Sequence, residues 1–380
     1  MTTETQIHVG LDGVVAAATR LSSVDGKAGE LIIAGFPLED FAAKATFEET
    51  LYLLWHAALP DAEQLAELRA ALAEQRALAP ITLAVIQAAA ERQADVMDVL
   101  RMATSTLVAA TDRQAALLLV AQMPSIVAAY WRTLKGEALV APRPDLDHAA
   151  NYLWMLSGAE PAAAQVRALE TYLNTVVDHG LNASTFTARV IISTESDLVS
   201  AIVGAIGALK GPLHGGAPGP ALDMVFEIGS ADRAEAVLRE KLDRGERLMG
   251  FGHRVYKVRD PRAEVLAQAA QELFATAGDR SLYELVTHVE RTAVALLAER
   301  KPGRNLQTNV EFYTALLLHG LGLPTELFTP TFTISRVGGW IAHAFEQQEV
   351  GRIIRPQSVY TGVKNRVWED VSERSAASVA

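Results

Sequence analysis

The chain has 380 residues, half of them hydrophobic and 21% charged, which excludes a disordered chain and allows a large buried core in about two domains. Its 34 Lys and Arg against 45 Asp and Glu give a formal net charge of −11, which argues against nucleic acid or a membrane surface as partner, because both present phosphates that need a basic footprint. A small anionic ligand needs only a local Arg or Lys cluster, and the lack of cysteine removes disulfides, thiolate metal sites and Cys nucleophiles, in keeping with a cytoplasmic location.

Met1 to Gly10 lacks the basic and apolar regions of a signal peptide, so none is expected. The one β-like region follows. Val14 to Leu21 and Glu30 to Ile33 flank Val24-Asp25-Gly26-Lys27, and Asp-Gly is a hairpin turn signal. From there the sequence reads as helix, rich in residues that lose little rotamer freedom in one. Phe47, Leu51, Leu54 and Trp55 share a face; Leu65, Leu68, Leu72 and Ala79 share another, expected to stop at Pro80. The uncharged stretch Gln114 to Trp131 reads as a buried helix broken near Pro124 rather than as a membrane span. Leu198, Ile202, Ala205, Ile206 and Leu209 form a face ending at Gly211-Pro212. Further helices are expected from Asp232 to Arg244, from Asp260-Pro261 to about Gly278, and from Tyr283 to Glu299. The fold class is therefore all-α with a small N-terminal hairpin.

The chemistry-bearing residues sit where Gly and His interrupt the helices. Gly211-Pro-Leu-His-Gly-Gly216 puts His214 in a glycine-flanked loop, where backbone and ligand can approach closely. Gly250-Phe-Gly-His-Arg-Val-Tyr-Lys-Val-Arg-Asp-Pro-Arg262 gathers His253, Arg254, Lys257, Arg259 and Arg262 before a helix start, an anion-binding arrangement. Asn309-Val-Glu-Phe312 places Glu311 at the head of an apolar helix, Asp178-His-Gly-Leu-Asn-Ala-Ser184 adds His179, and Arg336 and Arg355 follow, the latter in Arg355-Pro-Gln-Ser358. No P-loop, His-Glu-x-x-His or Gly-x-Ser-x-Gly is present, and the Gly250-Phe-Gly252 pair lacks the third glycine of a dinucleotide fingerprint. Asn182-Ala-Ser184 matches a glycosylation sequon, a pattern common by chance. His8, His56, His148, His288, His319 and His343 lie outside these motifs and read as structural.

These motifs, with Met97-Asp-Val-Leu-Arg101 and the Val24-Asp25-Gly26 hairpin, resemble the citrate synthase family, in its bacterial branch and in the family's order over nearly the whole chain. The resemblance implies a two-domain helical fold, with a small domain at 216–320 closing over a cleft in a large domain of 1–215 and 321–380. It implies an acyltransferase of the tricarboxylic acid cycle that enolises acetyl-CoA, adds it to oxaloacetate and hydrolyses the citryl thioester, without metal or redox cofactor. Glu311 would be the base, His214 the donor to the thioester oxygen, and His253 the group polarising the keto carbonyl. Arg262, Arg336 and Arg355 would clamp the carboxylates, with His179 adding a hydrogen bond; Arg254, Lys257 and Arg259 are candidates for the CoA phosphates, though Arg254 and Arg259 suit a solvated basic face equally. The arginine matching Arg355 comes from the second subunit of a homodimer. Alternatives are a 2-methylcitrate synthase using propionyl-CoA, or a weakened paralogue that binds oxo acid or CoA as a sensor. The sequence departs from the pattern at four places. Glu311 stands where the family usually has Asp, a difference of ~1.5 Å in reach. Gly180 replaces Glu, Pro218 replaces Asn, and Asp95-Val96 replaces His-Pro.

Overall fold

The computed structural model describes residues 7–215, 218–253, 255–276, 280–368 and 370–373. Strand β1 (Ser22–Asp25) pairs antiparallel with β2 (Glu30–Ile33), and β2 with β3 (Phe36–Pro37). The second strand is where the sequence placed it. The first is not: Val14 to Leu21 is irregular, and pairing begins at Ser22. The turn explains the shift. It spans four residues, because Asp25 Oδ1 accepts from the backbone of both Lys27 and Ala28, at 2.8 and 2.9 Å, so Asp25 ends the strand instead of sitting inside a two-residue turn.

The helices follow as α1 (Leu38–Phe41), α2 (Phe47–His56), α3 (Ala62–Glu74), α4 (Pro80–Glu91), α5 (Val96–Thr104), α6 (Asp112–Leu134), α7 (His148–Ser157) and α8 (Ala163–Val176). After them come α9 (Ala183–Ile192), α10 (Leu198–Leu209), α11 (Pro218–Ile228), α12 (Ala231–Asp243), α13 (Pro261–Thr276), α14 (Arg280–Arg300), α15 (Val310–Gly320) and α16 (Phe328–Val350). The all-α class holds. Local chemistry sets many of the starts: Thr46 with Glu49 and Asp61 with Gln64 form capping boxes, and Asp147 and Asp197 cap α7 and α10.

Two prolines behave differently from expectation. Pro80 does not stop a helix; α3 has already ended at Glu74, and Pro80 opens α4, where a missing N–H costs nothing. Pro124 does not break α6, which runs unbroken through it. The helix packs against α4, α5, α7 and α16 and is buried on nearly all sides around Pro124. That burial outweighs the ~3 kcal/mol an interior proline costs. Its length and hydropathy match a membrane span, but its apolar surface is spent on the protein's own core. The helix expected to close near Gly278 is ordered to Thr276, and Gly278 lies outside the described residues.

Helix α16 is the hub. It touches α2, α6, α8, α9 and α10, and its Trp340, Ile334 and Val337 are fully buried. The start of the chain is tied to it: the Arg20 N–H donates to Glu346 Oε1 at 2.9 Å, and Leu21, Leu31 and Ile33 join the core. Helices α11 to α15 pack on one another, and α13 and α15 also meet α8.

Between α2, α7 and α8 lies a buried titratable group: Glu48, His148 and Glu170, flanked by Arg69, Arg167 and Asp147. Burial, helped by the nearby Asp147 and Glu48 charges, pushes the Glu170 carboxyl up to about 8, although Arg167 lies 3.1 Å away. A carboxyl that keeps its proton when folded favours folding below the unfolded pKa, and that contribution is lost as pH rises from 4.5 through about 8. Glu170→Gln is therefore expected to melt higher than the parent at pH 8, with the gap closing toward pH 4.5. A constant gap across thermal melts in this range would refute that assignment.

Candidate active site

Four helix junctions meet around one cleft of about 960 Å³: the α8–α9 turn, the α10–α11 loop, the loop before α13 and the head of α15, with α16 as its floor. His179, His214, His253, Arg262, Glu311 and Arg336 all line it. The sequence motifs, scattered over more than 150 positions, thus converge.

His253 is fixed by its own turn. The backbone N–H groups of Val255 and Tyr256 both donate to its Nδ1, at 3.1 Å each. Nδ1 is then the acceptor, and the proton sits on Nε2. Arg262 Nη2 lies 3.4 Å from that Nε2. Two donors facing each other leave a place for an oxygen that both can address. Burial and the Arg262 charge hold His253 down at about 4, so the ring is neutral at pH 7.

Arg262 itself is buried and doubly bound by Asp260, through Nε at 3.0 Å and Nη2 at 2.8 Å. The sequence marked Asp260 only as the start of a helix; it also orients the guanidinium. Arg336 differs. Its Nε donates to the Val176 carbonyl at 2.7 Å, yet its Nη2 is buried with no hydrogen-bond partner among the described residues. Burial drags this guanidinium down to about 10, partly offset by Asp178. A buried, cleft-lining cation with an unpartnered donor has the chemistry to receive an anion.

His214 meets Ser184: Oγ is 2.7 Å from Nε2, and the Ser184 N–H points at the same nitrogen from 3.4 Å. The Ser184 N–H makes Nε2 the acceptor and leaves the proton on Nδ1, with the Ser184 hydroxyl shared between Nε2 and Asn182 Oδ1 at 2.8 Å. Burial first, then the Arg336 charge, keeps this ring near 4 and neutral. Trp340 Nε1 donates to Ser184 Oγ at 3.1 Å and fixes it in turn. Ser184 had no functional reading in the sequence beyond a sequon; its place after Asn182, the α9 cap, was the available signal.

His179 Nε2 is 3.1 Å from the Tyr256 hydroxyl, and its ring stands edge-on to His253. Burial and the Arg262 and Arg336 charges press it well below its ordinary value. The preceding Asp178 is buried, bonded to His343 and Ser22, which makes His343 structural as expected. Glu311 occupies the first turn of α15, whose cap Asn309 accepts from the Glu311 N–H at 3.0 Å. Burial pushes its carboxyl up, against the pull of Arg262. Arg247, unassigned from sequence, lines the cleft and also acts on Glu311.

Three expected residues are not at the cleft. Arg259 is held by Glu290 at 2.6 Å and Glu264 at 3.0 Å over the Tyr313 ring, a structural ion pair. Lys257 does not line the cleft, though its backbone N–H donates to Gly26. Arg355 is exposed on the extended segment after α16. Arg254 lies outside the described residues. No three His, Asp or Glu side chains converge as a metal-ligand set among the described residues.

Known proteins resemble this chain over nearly its whole length. The family model described as citrate synthase, C-terminal domain, matches residues 10–357. The citrate synthase of Haloferax volcanii is 43% identical, covering 97% of this chain and 99% of its own. The 2-methylcitrate synthase of Shewanella oneidensis is 38% identical, covering 96% and 97%. Among solved structures, citrate synthase from Thermotoga maritima superposes with a TM-score of 0.86 at 38% identity, over 97% of this chain and 100% of that one. A ternary complex of Thermoplasma acidophilum citrate synthase with carboxymethyl coenzyme A and oxaloacetate gives 0.87 at 30% identity, over 97% and 100%.

Proposed function

The chain belongs to the citrate synthase family, and from that premise we propose that it condenses an acyl-CoA, acetyl-CoA first, with oxaloacetate and releases citrate and CoA. The observation that carries this reading is the unpartnered Nη2 of buried Arg336, beside the facing donors of Arg262 and His253. Together they suit a keto diacid, whose carboxylates pair with guanidinium forks and whose carbonyl accepts from His253 Nε2.

The thioester α-proton is weakly acidic. Removing it needs a base and a donor to the growing enol oxygen. Glu311, half-buried and raised, is the base; neutral His214, with its proton on Nδ1, is the donor. The enol carbon then attacks the keto carbonyl that His253 and Arg262 polarise, and water hydrolyses the resulting thioester. Helices α11 to α15 supply the cap that excludes water during enolisation. Arg355 completes the diacid clamp from a second copy of the chain in a homodimer.

Mixed with acetyl-CoA and oxaloacetate, the protein is expected to release free thiol in step with loss of oxaloacetate. No release above background at millimolar substrate would overturn the proposal. Propionyl-CoA is the second reading, favoured by the 2-methylcitrate synthase relatives. One methyl group changes binding by only ~1–3 kcal/mol, so the ratio of kcat/KM for the two thioesters decides between them.

A further inference from the structure

The β1–β2 hairpin touches two of the histidine-bearing segments from outside the cleft. On one side, Ser22 Oγ donates to Asp178 Oδ2 at 2.5 Å and accepts from the Gly180 N–H at 2.9 Å, so it bonds the residues on either side of His179. Gly180 holds a left-handed conformation (φ 61°) there, with Val24 and Ser22 as its neighbours. On the other side, the Gly26 carbonyl accepts from the Lys257 N–H at 2.7 Å. A Cβ added at Gly26 would overlap the Val255 carbonyl, so only glycine lets the two backbones meet. Val255 and Tyr256 are the residues whose N–H groups set the His253 tautomer, and the Tyr256 hydroxyl reaches back to His179.

We propose that the hairpin is a clamp that sets the distance and orientation between His179 and His253, with Ser22 and Gly26 as positioning residues for the oxo acid. The inference rests on the reading of these histidines as oxo-acid ligands. Its physical content is simple. The two histidine segments come from chain positions more than seventy residues apart, and the cleft edge between them is spanned by one hairpin hydrogen-bonded to each. Loosening either attachment moves an imidazole relative to a bound carbonyl without touching the groups around the thioester.

The test is steady-state kinetics with each substrate varied, thermal melts, and calorimetric binding of oxaloacetate alone. Gly26→Ala is expected to lower kcat/KM for oxaloacetate about 100-fold, the cost of a displacement near 1 Å at a reacting centre. Ser22→Ala, which removes a hydrogen bond to a buried carboxylate, is expected to raise the oxaloacetate KM roughly tenfold. Ser22→Thr keeps the hydroxyl and should restore the parent value. KM for the acyl-CoA stays within about twofold in all of them, and Ser23→Ala on the exposed side of β1 behaves as the parent. The clamp is overturned if Ser22→Ala leaves the oxaloacetate KM unchanged, or if both substrates weaken in parallel with a fall in Tm. If the parent itself binds no oxaloacetate in the calorimeter, the active-site reading has failed instead, and the clamp falls with it.

Discussion

Glu311→Gln is expected to lower kcat by about 1,000-fold, within the range a positioned general base contributes, while oxaloacetate still binds. The amide keeps the shape of the α15 first turn, which Asn309 caps, but cannot take a proton. The pH profile gives a second reading of the same residue. Burial raises the Glu311 carboxyl, and a base works only when ionised, so kcat/KM is present above this raised pKa and falls as pH drops through it. His214 and His253, held at about 4, stay neutral across most of that limb. In Glu311→Gln the limb disappears. Glu311→Ala with unchanged turnover would remove the carboxylate from the mechanism, whereas a ligand-induced melting shift without turnover in the parent would favour the reading of a binding protein.

The second large effect concerns Arg336. Arg336→Met is expected to weaken oxaloacetate binding by at least about 100-fold, since truncating one partner of a desolvated charge pair costs several kcal/mol. The ligand-free variant is expected to melt no lower than the parent. This cation is buried with an unpartnered Nη2 among the described residues, and apolar replacement of such a charge is often neutral or stabilising. Calorimetry and melting with and without oxaloacetate check both halves. The parent gains Tm on adding ligand, and the variant does not. A variant that retained the ligand-induced shift would place the diacid elsewhere.

How far the sequence alone reaches is visible in these two residues. Glu311 could be singled out because it sits in Asn309-Val-Glu-Phe312 at the head of an apolar helix, and Arg336 only through the family resemblance. The environment of each could not be read. That Arg336 is buried depends on α8 lying across it, and that Asp260 grips Arg262 depends on one turn's side-chain geometry. Arg259 shows the same limit: nothing in the sequence showed that this basic residue beside a site motif is held by Glu290, thirty-one positions downstream. Ser184 and Arg247 carried no periodic or motif signal of their own. Pro80 and Pro124 misled for one reason: a proline's effect depends on which turn of the helix it occupies and on how much burial surrounds it.

The bond from Arg20 to Glu346 spans nearly the whole chain, and Leu21, Leu31 and Ile33 fill the same core as α16. A polypeptide emerging from the ribosome therefore cannot seat its first strands until its last long helix has been made. Contacts of such long range are slow to close. The nascent chain carries its opening apolar residues uncovered through most of translation, an interval in which chaperone engagement would matter most for the yield of folded enzyme.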